Sequence, residues 1–337
     1  MNNYQLQDDL LVKVSGLKTY FHMEQGIVRA VDDVSFQIPR GKSLGVVGES
    51  GCGKSVTAFS LMQLVQRPRG RIEEGEMLFR MDDGRIIDIA QQEPNGPMMR
   101  SVRGNNIAMI FQEPMTSLNP VYTIGQQIME AVILHQKKNR KEAKEIAIEM
   151  LNKVKIPGPK QRVDEYPHQF SGGMRQRAMI AMALSCNPML LIADEPTTAL
   201  DVTIEAQILE LIKDLQDEIG MALMMITHDL GVIGEMATHT IVMYMGKVVE
   251  TAPTAQVFDT PYHPYTQALM RSVPEIGRKD RLASIRGSVP NPYLLPKGCP
   301  FAPRCDSAMD ICREEFPPAC QVNGNHEVSC WLYGERK

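Results

Sequence analysis

The chain has 337 residues, 43% of them hydrophobic and 23% charged, with a net charge of −4. That suits one large domain with a full core plus an appendage, and so small a charge, with no long Lys/Arg block, excludes a dedicated nucleic-acid binder. The longest apolar runs, such as Ala178 to Leu184 and Met189 to Ala193, fall far short of the ~20 residues of a membrane-spanning helix.

Asp8 and Asp9 precede the first apolar run, so the basic-then-apolar order of a secretory signal is missing and a cytoplasmic location is expected. Residues 1–250 alternate β-branched runs with helical patterns, the signature of βαβ units around a largely parallel sheet. Core strands are expected at 44–47, 107–110, 190–193 and 223–226. From about Val121 to Tyr166 no strand candidate occurs; Thr123 is placed to cap one helix, and 141–154 reads as another, a helical insertion. The run Lys137-Lys138-Asn139-Arg140-Lys141 reads as a solvated helix end. Beyond Thr251 the prolines multiply, and from Val289 the chain is loop-like and rich in Pro and Cys. Such a tail has too few periodic apolar residues to fold well without a staple. Five of the seven cysteines lie beyond residue 298, and in a reducing compartment clustered cysteines hold metal more often than they form disulfides.

The chemistry begins at Gly48-Glu49-Ser50-Gly51-Cys52-Gly53-Lys54-Ser55, a G-x-x-x-x-G-K-S match placed after an apolar strand and before a helix starting near Ser55. Its glycines let backbone N–H groups turn inward around a polyphosphate, and the helix N-terminus favours the anion. Lys54 is expected on the β/γ-phosphates and Ser55 on Mg²⁺, with Gly48, Ser50, Gly51, Gly53 and Val56 completing the ATP contact. Asp194 and Glu195 end an apolar strand, Asp194 to position Mg²⁺ through water and Glu195 to polarise the attacking water. His228 and Gln112 also follow strands, His228 facing the γ-phosphate and Gln112 the Mg²⁺ or the water. Ser171-Gly172-Gly173-Met174 opens an apolar helix and makes a second phosphate-accepting N-terminus. One nucleotide cannot use both ends, so this one is expected to cap ATP held by another subunit.

Taken together, these residues resemble the ATPase subunits of ABC transporters: 48–55 as the P-loop, Gln112 as the Q-loop residue, Ser171 to Met174 as the signature, Asp194-Glu195 followed by the D-loop Ala199-Leu200-Asp201, and His228 as the switch. Met174 stands where Gln is commoner, a departure shared by the peptide-importer branch. Phe21 falls where the family stacks an aromatic on adenine, with Tyr20 as its rival. The stretch from Phe111 to Pro120, the run His263-Pro264-Tyr265-Thr266-Gln267-Ala268-Leu269 and the cysteine tail are similar to the dipeptide/oligopeptide/nickel branch. The resemblance implies an α/β P-loop ABC ATPase with a RecA-like parallel core, an antiparallel β subdomain and an α-helical subdomain at about 116–170. Its domains are expected at 1–255 (nucleotide-binding) and 256–337 (a loop-rich extension).

The same resemblance implies a motor for uptake of dipeptides or oligopeptides, with nickel or another small solute as the alternative cargo. Its partners are two transmembrane permeases, touched by the helical insertion, a second homologous ATPase, and an extracytoplasmic binding protein; in isolation a homodimer is also open. The expected location is the cytoplasmic face of the membrane. In the tail, Cys299, Cys305, Cys312 and Cys330 match a family pattern that holds a [4Fe–4S] cluster, and thiolate softness leaves zinc as the alternative. Cys320 is a spare thiol or a substitute ligand, and Cys186, in an apolar helix, reads as buried structure. A soluble ATPase acting on DNA or ribosomes predicts a long coiled-coil insertion or a second cassette, and neither is in the sequence. A degenerate site predicts loss of Lys54, Glu195 or His228, and all three are in place.

Overall fold

Burial along the central strands alternates strictly between two cores, and this alternation sets the architecture. The computed structural model describes residues 4–112, 117–198, 200–272 and 285–334. Strands are numbered along the chain. An antiparallel sheet comprises β1 (Leu10–Met23), β2 (Gly26–Pro39), β4 (Gly70–Arg80) and β5 (Ile86–Asp88), in the order β2-β1-β4-β5. In the larger sheet, β3 (Ser43–Val47), β6 (Ile107–Ile110), β7 (Leu190–Asp194), β8 (Ala222–Ile226) and β9 (His239–Tyr244) run parallel, in the order β9-β3-β8-β7-β6. Beyond β9 the sheet continues antiparallel through β10 (Lys247–Pro253), β12 (His326–Val328) and β11 (Cys320–Asn323).

Successive residues of a strand point to opposite faces. Leu190 and Ile192 of β7, with Met224 and Ile226 of β8, enter a core shared with the antiparallel sheet and helix α1 (Lys54–Leu61). Leu191 and Ala193, with Leu223 and Met225, enter the opposite core. After α2 (Pro97–Val102), that second core is covered by α3 (Ile124–Gln136) and α4 (Arg140–Lys153) and, beyond the short α5 (Pro159–Arg162), which buries none of its residues, by α6 (Gly172–Leu184), α7 (Val202–Ile219) and α8 (Leu230–Met236). A strand covered on both faces carries apolar residues at every position, which is why these strands read as unbroken Leu/Ile/Met/Ala runs. Each such side chain contributes roughly 1.5–3 kcal/mol.

Helix boundaries follow their caps. Thr123 and Gln126 form a capping box ahead of α3, and Asn139 and Glu142 form one ahead of α4, so the second helix of the insertion begins at Arg140, one residue before its expected start. Among the described residues, no helix is long and apolar enough to cross a membrane.

The tail is loop-rich, as expected, but carries short elements that the sequence reading did not name. After α9 (Thr254–Asp259) and α10 (Pro264–Ser272), it returns through the short helix α11 (Ile311–Glu314) to lay β12 and β11 on the sheet edge. Only Glu250↔Val328 and Thr251↔Glu327 pair β10 with β12, too short a ladder to show as a periodic pattern. The junction is fixed instead by Glu250, 1% exposed, whose carboxylate accepts the Tyr262 N–H at 2.7 Å and the His263 N–H at 3.0 Å and meets His326 Nε2 at 2.7 Å. Cys299, Phe301, Ala302, Cys312 and Trp331 join the helix-covered core.

His263, 1% exposed, accepts the Tyr265 N–H on Nδ1 at 3.0 Å, and burial pulls its pKa down to about 3. The unfolded chain takes up a proton near pH 6.5 and the folded chain does not, so stability falls as pH drops from 6.5 towards 3, by up to about 1.4 kcal/mol per unit. Thermal unfolding between pH 7 and pH 5 should show a steeper loss for the wild type than for His263→Gln; equal slopes would remove His263 as the source.

Candidate functional site

The loop of residues 48–55 is shaped by close approaches that only glycine permits. Gly53 has φ +105°, and a Cβ there would lie 2.1 Å from the Ala30 carbonyl oxygen; a Cβ on Gly48 would lie 2.2 Å from that of Met243. Within this turn Lys54, 5% exposed, donates to the carbonyls of Gly48 at 2.7 Å and Glu49 at 3.3 Å. Cys52, to which the sequence assigns no function, is buried. Ser50 and Gly51 are exposed on the loop, and half-buried Val56 packs against the core under α1.

Because β3, β6, β7 and β8 are parallel, their C-terminal ends open on one edge, and the polar residues that follow them meet there. Alternation puts Asp194 on the α1 side of the sheet, where the Ser55 hydroxyl donates to its Oδ1 at 3.0 Å. Burial raises the Asp194 carboxyl above its ordinary value; the Ser55 hydrogen bond opposes that and the Glu195 charge adds to it. Glu195 turns away in the left-handed region, φ +48°, pinned by its N–H on the Ile226 carbonyl at 2.8 Å. Its carboxylate accepts Gln112 Nε2 at 3.0 Å and Thr198 Oγ1 at 3.1 Å and meets His228 Nδ1 at 3.2 Å. The structure thus brings Ser55, Gln112, Asp194, Glu195 and His228 into one cluster. Thr198 is a member the sequence reading missed; its signal is a hydroxyl three residues after a strand-end carboxylate.

The other candidates lie on separate surfaces. Ser171 and Gly172 are exposed at the start of α6, where the Ser171 hydroxyl accepts the Met174 N–H at 3.3 Å and a Cβ on Gly172 would meet open space. Gly173 and Met174 are half-buried, and a Cβ on Gly173 would lie 3.1 Å from Ile204 at the start of α7. Asp201 caps α7 through the Ile204 N–H at 3.0 Å; Ala199, beside it, lies outside the described residues, as do 113–116 of the stretch after Gln112. Tyr20 donates to Asp32 at 2.6 Å. Phe21 lies on the face of Thr19, whose hydroxyl meets Ser60 of α1 at 2.8 Å, and its ring packs against Gly70.

In the tail, Cys299, Cys305, Cys312 and Cys330 line one small cavity with Phe301, while Cys320 sits on β11, its thiol against the Val328 carbonyl at 3.3 Å. Burial, with the neighbouring thiols adding to it, pushes Cys299 up to about 12 and Cys330 up to about 11. Among the described residues no three His, Cys, Asp or Glu side chains stand close enough to hold a single metal ion. Cys186 is buried beyond the end of α6.

Residues 31–198 match the family model described as ABC transporter, and 249–312 match the one described as Oligopeptide/dipeptide transporter, C-terminal region. A probable peptide ABC transporter ATP-binding protein, y4tR, of Sinorhizobium fredii is 52% identical over 97% of this chain and 96% of its own. The oligopeptide transport ATP-binding protein AppD of Bacillus subtilis is 50% identical over 96% and 97%. The dipeptide transport ATP-binding protein DppD of Escherichia coli is 49% identical over 95% and 96%. A solved ATP-binding cassette, a dimer in a post-hydrolysis state bound to ADP and Pi, superposes with a TM-score of 0.63 at 26% identity, covering 72% of this chain and 99% of that one. With a glycine-rich loop, strand-end carboxylates and an exposed helix start set around one parallel sheet, and with near-full-length relatives of this kind, the chain belongs to the ABC transporter family as one of its ATP-binding, ATP-hydrolysing proteins.

Proposed function

We propose that this chain is the motor of a peptide importer, in which ATP binding closes two nucleotide domains face to face and hydrolysis reopens them. The observation that carries the reading is Glu195, held at its carboxylate by Gln112, Thr198 and His228 beside the Ser55–Asp194 pair. Glu195 accepts a proton from the attacking water, while Gln112 and His228 orient its two oxygens. Lys54 leaves the loop carbonyls for the β/γ-phosphates, and Phe21, not engaged in a hydrogen bond as Tyr20 is, stacks on adenine. Ser55, Asp194 and Gln112 supply hard oxygen donors within one cluster, a set that fits Mg²⁺. The bound ion neutralises phosphate charge.

Ser171 to Met174 and Asp201 form the face offered to the partner ATPase: the exposed end of α6 caps the γ-phosphate held in the opposite subunit. The permeases dock on the helical insertion, where Val121, Tyr122 and Leu134 are 71%, 52% and 68% exposed and Tyr122, Met129 and Ile133 line an open groove of about 680 Å³. On this reading the chain works at the cytoplasmic face of the membrane, with an extracytoplasmic binding protein delivering cargo to the permeases. Peptide is favoured over nickel by the oligopeptide/dipeptide match of residues 249–312 and by the peptide transporters among the relatives. The four tail thiols line one cavity, and thiolate softness suits a [4Fe–4S] cluster there, with zinc as the alternative; a cationic centre would offset the cost of buried thiolates. The bound cluster cross-links the tail.

In the assembled transporter, Glu195→Gln should keep ATP binding but lower turnover at least about 100-fold and trap a closed dimer; unchanged turnover would remove Glu195 from the chemistry. Gly172→Asp, tolerated by the fold because open space surrounds the Cβ, should abolish nucleotide trapping at the partner's site while sparing this chain's own, read by photolabelling each subunit; loss confined to the local site would end the trans-capping reading. Anaerobic purification should yield about four iron and four sulfide per chain, absent from a Cys299→Ser/Cys305→Ser variant; zinc or no metal would overturn the cluster.

A further inference from the structure

Glu49, the second residue of the phosphate loop, carries a charge that polyphosphate binding does not require, yet it is anchored at every polar group. Its N–H donates to the Tyr265 hydroxyl at 2.8 Å, so this amide points away from the phosphate cradle. Its carboxylate accepts both arms of Arg304, at 2.6 and 3.1 Å. Its carbonyl accepts Lys54 Nζ at 3.3 Å. Arg304 is 4% exposed in its side chain and donates further to the Tyr244 hydroxyl at 3.2 Å and to the Arg286 carbonyl at 2.9 Å. Forked guanidinium–carboxylate pairs fix orientation as well as charge, and neither Lys nor a neutral amide reproduces the fork.

The origin of this arginine is the informative part. Arg304 ends the 3-10 turn Ala302–Arg304, between Cys299 and Cys305. The preceding Phe301 packs on Tyr244 and Tyr265, ring centroids 5.4 and 5.3 Å away, and lines the thiol cavity. Among the described residues, every partner that braces Glu49 from outside the loop is therefore attached to the cysteine-lined tail or to the aromatic layer beneath it. We propose that Arg304 is a positioning residue for the nucleotide loop, acting through Glu49, and that it couples nucleotide affinity to the integrity of the cysteine-lined tail. The inference rests on reading residues 48–55 as the nucleotide loop. Coupling of this kind is reciprocal: a loosened tail weakens nucleotide binding, and bound nucleotide steadies the tail.

Calorimetric titration of the full-length chain with MgADP tests both ideas separately. Arg304→Gln and Glu49→Gln should each weaken binding about tenfold, the double variant no more than either single one, and Arg304→Lys should recover part of the loss. In the assembled transporter the same variants should raise KM for ATP with kcat unchanged, the mark of a displaced binding loop. Cys305→Ser should weaken MgADP binding in the wild-type background and leave it unaltered in Arg304→Gln. Should Arg304→Gln fail to fold, Tyr265→Phe, which deletes only the hydroxyl on the Glu49 N–H, should move affinity in the same direction. Unchanged affinity in these variants, or additive losses in the double, would overturn the coupling so long as Lys54→Ala abolishes binding. Retained binding in Lys54→Ala would instead overturn the nucleotide-loop reading.

Discussion

A strand buried on both faces has no place for polar chemistry except at its ends, because an unpaired polar group in either core costs several kcal/mol. In this protein that constraint acts on several parallel strands at once. β3, β7 and β8 alternate their side chains into two apolar cores, and burial relaxes only past the strand ends, at Glu195 directly after β7 and at His228 two residues after β8. Parallel direction puts all of these ends on one edge. The site is thus a by-product of how the sheet must be covered, sharpened by one backbone excursion, the left-handed Glu195, which rotates its carboxylate towards Gln112 and His228 while Asp194 stays beside Ser55.

The same constraint explains what could be read from the chain alone. Unbroken apolar runs that stop at Gly48, Asp194 and Thr227 announce both the strands and the site, and the caps Thr123, Ser171 and Asp201 are local hydrogen-bond signals contained within three residues. What escaped reading is long-range. Glu49 and Arg304 are separated by 255 positions, and Glu250 and His326 by 76. Strands β11 and β12 arise from pairing with an edge already formed, and their own residues carry no alternating stretch long enough to announce them. Tyr20 and Phe21 are adjacent aromatics of similar propensity, and only the partner of each, Asp32 for one and Gly70 for the other, separates them.

The tail illustrates how a segment poor in hydrophobes joins an existing core. A few large residues, Phe301 and Trp331 among them, enter the helix-covered core, and a buried carboxylate satisfied by two N–H groups and an imidazole holds the edge in register. The polar junction demands that all its partners be present together, since removing one leaves a charge or a donor stranded in the interior. Register and attachment are thereby specified by a handful of residues.

Lys54, finally, rests on the loop's own carbonyls at Gly48 and Glu49, so its ammonium group is held by backbone dipoles and the residue is 5% exposed. Any anion entering must replace two good acceptors at the ammonium group. On the proposed reading of residues 48–55, a lone inorganic phosphate or sulfate would offer little beyond that exchange, whereas a nucleotide would bring further phosphates and a base. Selectivity between small anions and nucleotides would then begin with these two backbone contacts, before any contact with the base.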